Sequence, residues 1–344
     1  MARLVRSIAV LPLLISLLPL PAHAWTRSPA TRFATLPPGE AHPEGITVDH
    51  DGNVYVTTFA ANKASGPGTL FVFSPSGRLL RQVSVAGSSQ LLLDLAFHPT
   101  TGVLLVIDFG NARVLSVNPF TGASTVFMTV SGVAGLNVLT FDNAGNVYVS
   151  DSFQGIIWMT GPAGGAGAMW VSSPLLTTTG VPPFGANGLA FNKHRTAMFV
   201  ANTGNDTVVK IPVSGLPLVA GTPGVFVNSI NGADGLIIDE DDNIWVAANQ
   251  ADEIVVIEPT KGRVIAKLGD FNGIGPDGAP NGLLFPASIV FRGNFVFVTN
   301  LSLDLGAALG DPAKRTVDSP WAADVTTHTI SKINRHLPPV QGLP

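Results

Sequence analysis

The sequence predicts an all-β fold: a six-bladed β-propeller of four-stranded antiparallel blades. Three observations predict it. First, one phrase returns along the chain, as Pro43-Glu44-Gly45-Ile46-Thr47-Val48-Asp49, Leu93-Asp94-Leu95-Ala96-Phe97, Leu136-Asn137-Val138-Leu139-Thr140-Phe141-Asp142, Ala186-Asn187-Gly188-Leu189-Ala190-Phe191 and Ala233-Asp234-Gly235-Leu236-Ile237-Ile238-Asp239, with a looser sixth copy at Pro286-Ala287-Ser288-Ile289-Val290-Phe291. Its variable residues stand 50, 43, 50, 47 and 54 positions apart, and a strand-rich repeat of roughly 40–50 residues is the sequence signature of a propeller. Second, the chain has 37 Gly and 27 Pro but only 12% charged residues, which suits many short strands joined by tight turns. Third, long helical periodicity is absent, and a single closed propeller accommodates a chain of this length.

The elements follow in order. Arg3 and Arg6, an apolar run over residues 7–20 broken by Pro12 and Pro19, and Ala22-His23-Ala24 read as a secretory signal peptide over residues 1–24, cleaved after Ala24. The run is short for a membrane span of about 20 residues. The mature chain, residues 25–344, is then one domain, secreted or periplasmic, with no membrane attachment after cleavage. It has no cysteine, so an oxidising compartment contributes no disulfide, and a core of this size does without one.

In the first blade, residues 46–48, 54–57, 70–73 and 79–85 are four strands. The turns Asp49-His50-Asp51-Gly52-Asn53 and Ser74-Pro75-Ser76-Gly77 join the first to the second and the third to the fourth. The same grammar recurs at Asn143-Ala144-Gly145-Asn146 and Asp241-Asp242-Asn243. These turns lack the spacing and terminal Glu of a calcium-binding EF-hand loop, and hairpin chemistry accounts for them. Six blades start near residues 44, 94, 137, 187, 234 and 288. Residues 31–36 and 327–333 both fall in the last blade and close the ring, hiding its edges. Residues 25–30 and 337–344 read as loose tails, and residues 303–323 as a long loop over one face.

The start of each first strand faces the central channel of such a fold. This brings Glu44, Asp94, Asn137, Asn187 and Asp234 around one axis. Glu44 and Asp234 offer two negative charges and Asn137 and Asn187 two neutral carbonyl oxygens. With no Cys available and no His at this phase, hard oxygen donors select Ca2+, or Mg2+ or another divalent cation, over zinc or copper. A four-residue ring leaves a calcium ion open on one side, where it can polarise a carbonyl or phosphoryl oxygen. Asp94, with no Gly after it, is assigned a second shell or a turn. The net charge of −4 and the absence of a basic run argue against nucleic acid and against anionic membrane surfaces.

Glu44-Gly45, Asn137, Asn187-Gly188-Leu189-Ala190 and Asp234-Gly235-Leu236 together resemble the senescence-marker-protein/gluconolactonase superfamily, to which paraoxonases and diisopropyl-fluorophosphatases are related in fold. The resemblance spans about residues 33–335. It implies that Glu44, Asn137, Asn187 and Asp234 hold one catalytic divalent metal, usually calcium, and that Asp234 is also the general base or nucleophile. Two departures weigh against a sugar-lactone substrate. Gly135 stands where such members carry an Arg, and Val138 follows Asn137 where an Asp is usual. A paraoxonase-type His pair is not located: His42 and His98 lie nearest the phase, each read as a surface or turn residue without a partner.

A second resemblance is to NHL repeats, in Gly273-Ile274-Gly275-Pro276-Asp277-Gly278, Phe285-Pro286-Ala287-Ser288-Ile289 and Asp108-Phe109-Gly110-Asn111-Ala112-Arg113-Val114. NHL propellers are often binding scaffolds. Asn281-Gly282 mimics Asn187-Gly188 but is out of phase and reads as loop. Three classes therefore stand: a metal-dependent hydrolase of lactones, esters or phosphotriesters; a non-catalytic ligand- or protein-binding propeller; and a synthase or lyase like the strictosidine-synthase relatives. The mouth loops 60–68, 153–167, 175–185 and 303–323 carry Phe153, Trp158, Phe184 and Trp321, which favours a small apolar or aromatic ester or lactone. Asn205-Asp206-Thr207 and Asn300-Leu301-Ser302 match the N-glycosylation pattern.

Overall fold

A computed structural model describes residues 27–337; the expected leader and its cleavage point lie outside them. Six antiparallel sheets follow one another around an axis. Blade I is Pro43–Val48, Val54–Thr58, Thr69–Phe73 and Leu79–Ser84. Blade II is Leu92–Phe97, Leu104–Asp108, Arg113–Val117 and Ser124–Thr129. Blade III is Leu136–Phe141, Val147–Asp151, Ile156–Thr160 and Ala168–Ser172. Blade IV is Ala186–Phe191, Ala197–Asn202, Thr207–Ser214 and Gly224–Val227. Blade V is Ala233–Ile238, Ile244–Ala248, Glu253–Ile257 and Val264–Leu268.

Blade VI combines Pro286–Arg292, Phe295–Asn300 and Thr329–Asn334 with Thr31–Thr35, which pairs with Thr329–Asn334 as the outermost strand. The two ends of the chain thus close the ring, as the sequence indicates. Residues 27–30, the described part of the expected 25–30 tail, are not wholly loose. Arg27 pairs with Glu253 at 2.9 Å, and the Ser28 carbonyl accepts the Gly269 amide at 2.8 Å. An arginine beside a buried carboxylate docks the segment to blade V.

The second strands are buried along their whole length in blades I to V, because a neighbouring blade covers each face. This is why they read as unbroken apolar runs. The core lies between blades. Tyr148 and Ile157 of blade III pack on Leu189, Met198 and Val200 of blade IV, and Phe199 and Val208 of blade IV on Leu236 and Val246 of blade V. Each such side chain contributes roughly 1.5–3 kcal/mol by burial.

The Asp turns are hairpin staples, as read. Asp49 accepts the Asn53 backbone and side-chain amides, each at 2.8 Å, and the Tyr55 hydroxyl at 3.0 Å. Asp142 with Asn146 and Tyr148, and Asp239 with Asn243 and Trp245, repeat the arrangement.

Residues 303–323 form no strand, but they are more ordered than a plain loop. They carry two one-turn helices, α1 (Leu305–Ala308) and α2 (Ser319–Ala322), with a 3-10 turn at Pro312–Lys314 between them. Trp158 is a correction: it lies in the strand Ile156–Thr160, buried, its indole N–H donated to Asp151 at 2.9 Å, and not in a mouth loop. Asn300 is wholly buried and donates to Thr329 and Ser331, each at 3.0 Å, so its glycosylation motif is inaccessible in the fold. Among the described residues no helix is long and apolar enough to cross a membrane.

Candidate functional site

All six first strands break register at one place: between Pro43 and Ile46, Leu92 and Leu95, Leu136 and Leu139, Ala186 and Leu189, Ala233 and Leu236, and Pro286 and Ile289. Each break is a bulge, and a bulge re-aims a side chain that regular pleating would send elsewhere. Aligned on the residue after the bulge, the ring position holds Glu44, Leu93, Asn137, Asn187, Asp234 and Ala287. The first five line one cavity at the axis.

Asp94 therefore does not belong to the ring. It is the second bulge residue, one place downstream, where blades I, IV and V have Gly45, Gly188 and Gly235. Those glycines let neighbouring strands close in: a Cβ on Gly188 would stand 2.3 Å from the Asp234 carbonyl oxygen and 2.4 Å from the Leu236 nitrogen. Asp94 instead reaches sideways and accepts the Leu139 amide of blade III at 3.0 Å. Burial pushes it up to about 7.

Each of the four oxygen-bearing ring residues keeps one buried oxygen without a hydrogen-bond partner: Glu44 Oε2, Asn137 Oδ1, Asn187 Oδ1 and Asp234 Oδ1. A buried unpaired oxygen costs about 1–3 kcal/mol, so four at one locus call for a shared electron-pair acceptor.

The other ends of Asn137, Asn187 and Asp234 are held. Asn137 Nδ2 donates to Ser152 Oγ at 3.1 Å, and Asn187 Nδ2 to Thr203 Oγ1 at 3.0 Å. Each hydroxyl then donates to the carbonyl just before the next ring residue, Ser152 to Ala186 at 2.6 Å and Thr203 to Ala233 at 2.8 Å. Because both hydroxyl hydrogens are committed, the hydroxyls can only accept from the amides, which turns the amide oxygens towards the axis. Asn249 Nδ2 donates to Asp234 Oδ2 at 2.7 Å. Ser152, Thr203 and Asn249 escape the sequence reading, yet they share one signal: they lie 15, 16 and 15 residues after Asn137, Asn187 and Asp234.

Burial raises Glu44 well above the usual carboxylate range, with the Asp234 and Asp94 charges adding to it. Burial likewise pushes Asp234 up to about 7, against hydrogen bonds that favour its ionised form. The donor set fits a hard divalent cation: two acids, two amide oxygens, all with free lone pairs. Among the described residues no three His, Cys, Asp or Glu side chains gather to hold a metal, so a cation here depends on the two asparagines.

The cavity above the ring is about 40 Å³, room for an ion with a few waters. Its other walls are apolar: Phe59, Leu93, Pro182, Phe184, Phe285, Leu301, Leu303 and Leu305. Phe184 stacks on Phe153 with ring centres 6.0 Å apart, and Phe153 is 46% exposed. This aromatic strip leads from solvent to the ring. A Cβ on Gly135 would meet the Phe153 ring at 2.8 Å, so that ring fills the space where a longer side chain would extend.

The histidines differ from expectation. His42 has a partner, His328, edge to face at 4.6 Å; the two are 286 positions apart and only ring closure joins them. Burial lowers both, His328 to about 3. His98 has the turn role expected of it, its Nδ1 accepting the Thr100 and Thr101 amides, each at 3.4 Å, but it is buried rather than superficial, and its Nε2 is bonded to the Gly145 carbonyl oxygen at 2.8 Å, tying blade II to a blade III turn. The NHL-like Gly273–Gly278 run lies in a small hairpin, Phe271–Ile274 with Pro280–Gly282, which also takes up Asn281 away from the ring.

Residues 183–269 match the SMP-30/Gluconolactonase/LRE-like region family, a stretch that contains Asn187 and Asp234. The likeness to that family covers this stretch of the propeller, blade IV and blade V. Residues 30–59 match the N-terminal part of the strictosidine synthase-like family. No curated protein matches the chain. Among solved structures, a luciferin-regenerating enzyme is similar with a TM-score of 0.62 at 16% identity, covering 87% of this chain and 94% of that one. Regucalcin, described as a calcium-binding protein from Agrobacterium tumefaciens str. C58, gives 0.59 at 16%, covering 90% and 99%. A putative gluconolactonase gives 0.58 at 15%, covering 90% and 92%. At these identities the likeness of this propeller to them is one of fold.

Proposed function

We propose that this chain is a divalent-cation-dependent hydrolase of lactones, esters or phosphotriesters, with Ca2+ the expected ion, held by Glu44, Asn137, Asn187 and Asp234. One observation carries the reading: the four orphaned oxygens converging on a single cavity. A bound cation would polarise the substrate's carbonyl or phosphoryl oxygen and stabilise the charge that develops there. The chain's own residues supply the rest. Asp234, steadied by Asn249, is assigned the general-base or nucleophile role. The apolar walls exclude water and orient the substrate. They include no cationic side chain to meet an anionic substrate and, apart from Thr203 and Asn249, no polar group beyond the ring. This favours a small apolar or aromatic ester or lactone over a polyhydroxy acid. A signal peptide over residues 1–24, as the sequence reads, would carry the mature protein out of the cytoplasm, secreted or periplasmic.

The test is calorimetric titration of calcium into chelator-treated protein, wild type against Glu44→Gln/Asp234→Asn, followed by a lactone and ester panel. One-site binding abolished by the double substitution, with turnover on the panel, is the expected result. Binding indifferent to the substitutions would sink the ring assignment. A second reading rests on the cavity size: about 40 Å³ is far below the roughly 300–1,000 Å³ of an organic-ligand site. In that reading the cation is structural and the propeller is a non-catalytic binding scaffold, giving metal-dependent melting without turnover. The match at residues 30–59 keeps synthase or lyase chemistry as a third outcome of the panel.

A further inference from the structure

The last residue of each second strand pairs with the residue that opens the bulged first strand. In blade II this is Asp108 opposite Leu92, and in blade III Asp151 opposite Leu136. Asp151 is wholly buried and accepts five hydrogen bonds. Its Oδ1 takes the backbone amides of Gly135 at 3.0 Å, Phe153 at 3.0 Å and Gln154 at 3.1 Å. Its Oδ2 takes the Gln154 side-chain amide and the Trp158 indole N–H, each at 2.9 Å. All five are neutral N–H donors, so both oxygens must act as acceptors.

These donors stand on the two sides of Asn137. Gly135 lies two residues ahead of it, on the backbone that enters the bulge. Ser152, next to Asp151, carries the hydroxyl that accepts Asn137 Nδ2. The Ser152 amide also donates to the Gly135 carbonyl at 2.9 Å, so strand and turn are fastened to each other in both directions. Gln154 Nε2 reaches on to the Ser131 carbonyl at 3.0 Å and ties in the segment before the strand.

We propose that Asp151 is a positioning residue of the ring: it sets Ser152 against Asn137 and so keeps the Asn137 amide oxygen turned to the axis. The inference rests on reading the ring as a cation site. Asp151 acts through Ser152 and the Gly135 backbone, not on the ring side chain itself. The same turn carries Phe153, so this carboxylate also fixes the outer end of the aromatic strip.

Blade II supplies the control. Asp108 is likewise wholly buried and holds its own surroundings through Ser89, Asn111 and Arg113. Unlike Asp151 it has a cationic partner, Arg113 at 3.0 Å. The residue after it is Phe109, and its ring residue is Leu93. A carboxylate that only pins a turn matters equally in both blades. One that positions a ring oxygen affects cation binding in blade III alone.

The test compares Asp151→Asn with Asp108→Asn. Asparagine keeps the volume, but whichever way its amide is turned, it sets N–H against at least two of the five donors around Asp151. In calorimetry Asp151→Asn should weaken calcium about tenfold. Asp108→Asn should lose stability in denaturant yet bind calcium within a few fold of wild type. Crystal structures of the cation-free variants decide the point without the metal: the 3.1 Å contact between Asn137 and Ser152 should be lost in Asp151→Asn and kept in Asp108→Asn. Retention of that contact in Asp151→Asn, unchanged calcium affinity there, or an equal loss of affinity in both variants would overturn the positioning role. A wild type that binds no calcium, with the contact broken as expected in Asp151→Asn, would sink the cation reading and leave the placement of Asn137 by Asp151 standing.

Discussion

Blades III, IV and V and blades II and VI bend their first strands with the same bulge, yet the first group places Asn137, Asn187 and Asp234 at the axis and the second Leu93 and Ala287. The backbone device is identical; the chemistry is not. In blades III, IV and V the residue just past the second strand is also polar, Ser152, Thr203 or Asn249, and grips the ring side chain, whereas blade I sets Phe59 there beside Glu44. In blades II and VI the matching residues are Phe109 and Leu301, which pack with the cavity's apolar wall. Position comes from the fold, and the chemistry of blades III, IV and V from a pair of polar residues 15 or 16 apart.

The strongest way to break this contrast is to remove charge from the ring. Glu44→Gln/Asp234→Asn should abolish calcium binding in calorimetry. The cation-free variant should melt higher than the cation-free wild type at pH 8. Asp234 titrates near 7 in the fold rather than near 3.8, so its contribution to stability is fully present below about pH 4 and lost as pH rises towards 7. Melting of the wild type from pH 4 to 8, with and without calcium, checks the sign: cation-free protein should lose stability over that window and calcium should restore it.

Next comes the apolar side of the ring. Leu93→Ala should cost about 2–5 kcal/mol in denaturant unfolding while calcium affinity stays within a few fold. A large loss of affinity would show that blade II takes part in binding after all. The grip residues separate position from packing. Thr203→Val keeps the shape but frees the Asn187 amide to flip, and should weaken calcium about 10–100-fold; Thr203→Ser should restore it. Gly188→Ala, which presses on the Asp234 carbonyl, should cost about 1–3 kcal/mol. The smallest effect is expected far from the axis: Tyr148→Phe, which loses the 3.1 Å bond to Asp142, should cost about 1 kcal/mol.

The blades and the four ring oxygens were legible because each phrase sets a variable residue ahead of a regular apolar pattern. Asp94 was misplaced because its copy lacks the glycine that marks the second bulge residue elsewhere. Aligning Leu95 with Ile46 and Leu139 would have put Leu93 in the ring. Ser152, Thr203 and Asn249 are single polar residues at strand ends, where turn chemistry is the common explanation, and only the constant spacing singles them out. The His42–His328 pair was invisible, since only ring closure brings the two together across 286 positions.

The closure of blade VI has a consequence for biosynthesis. Thr31–Thr35 emerges from the ribosome well before its partner Thr329–Asn334. Five blades can pair locally during elongation, but the circle stays open, with an unpaired sheet border, until Thr329–Asn334 has emerged. A ribosome stalled shortly before residue 329 would therefore display an unclosed crescent, in which Glu44 and Asp234 have not yet been locked across the same axis.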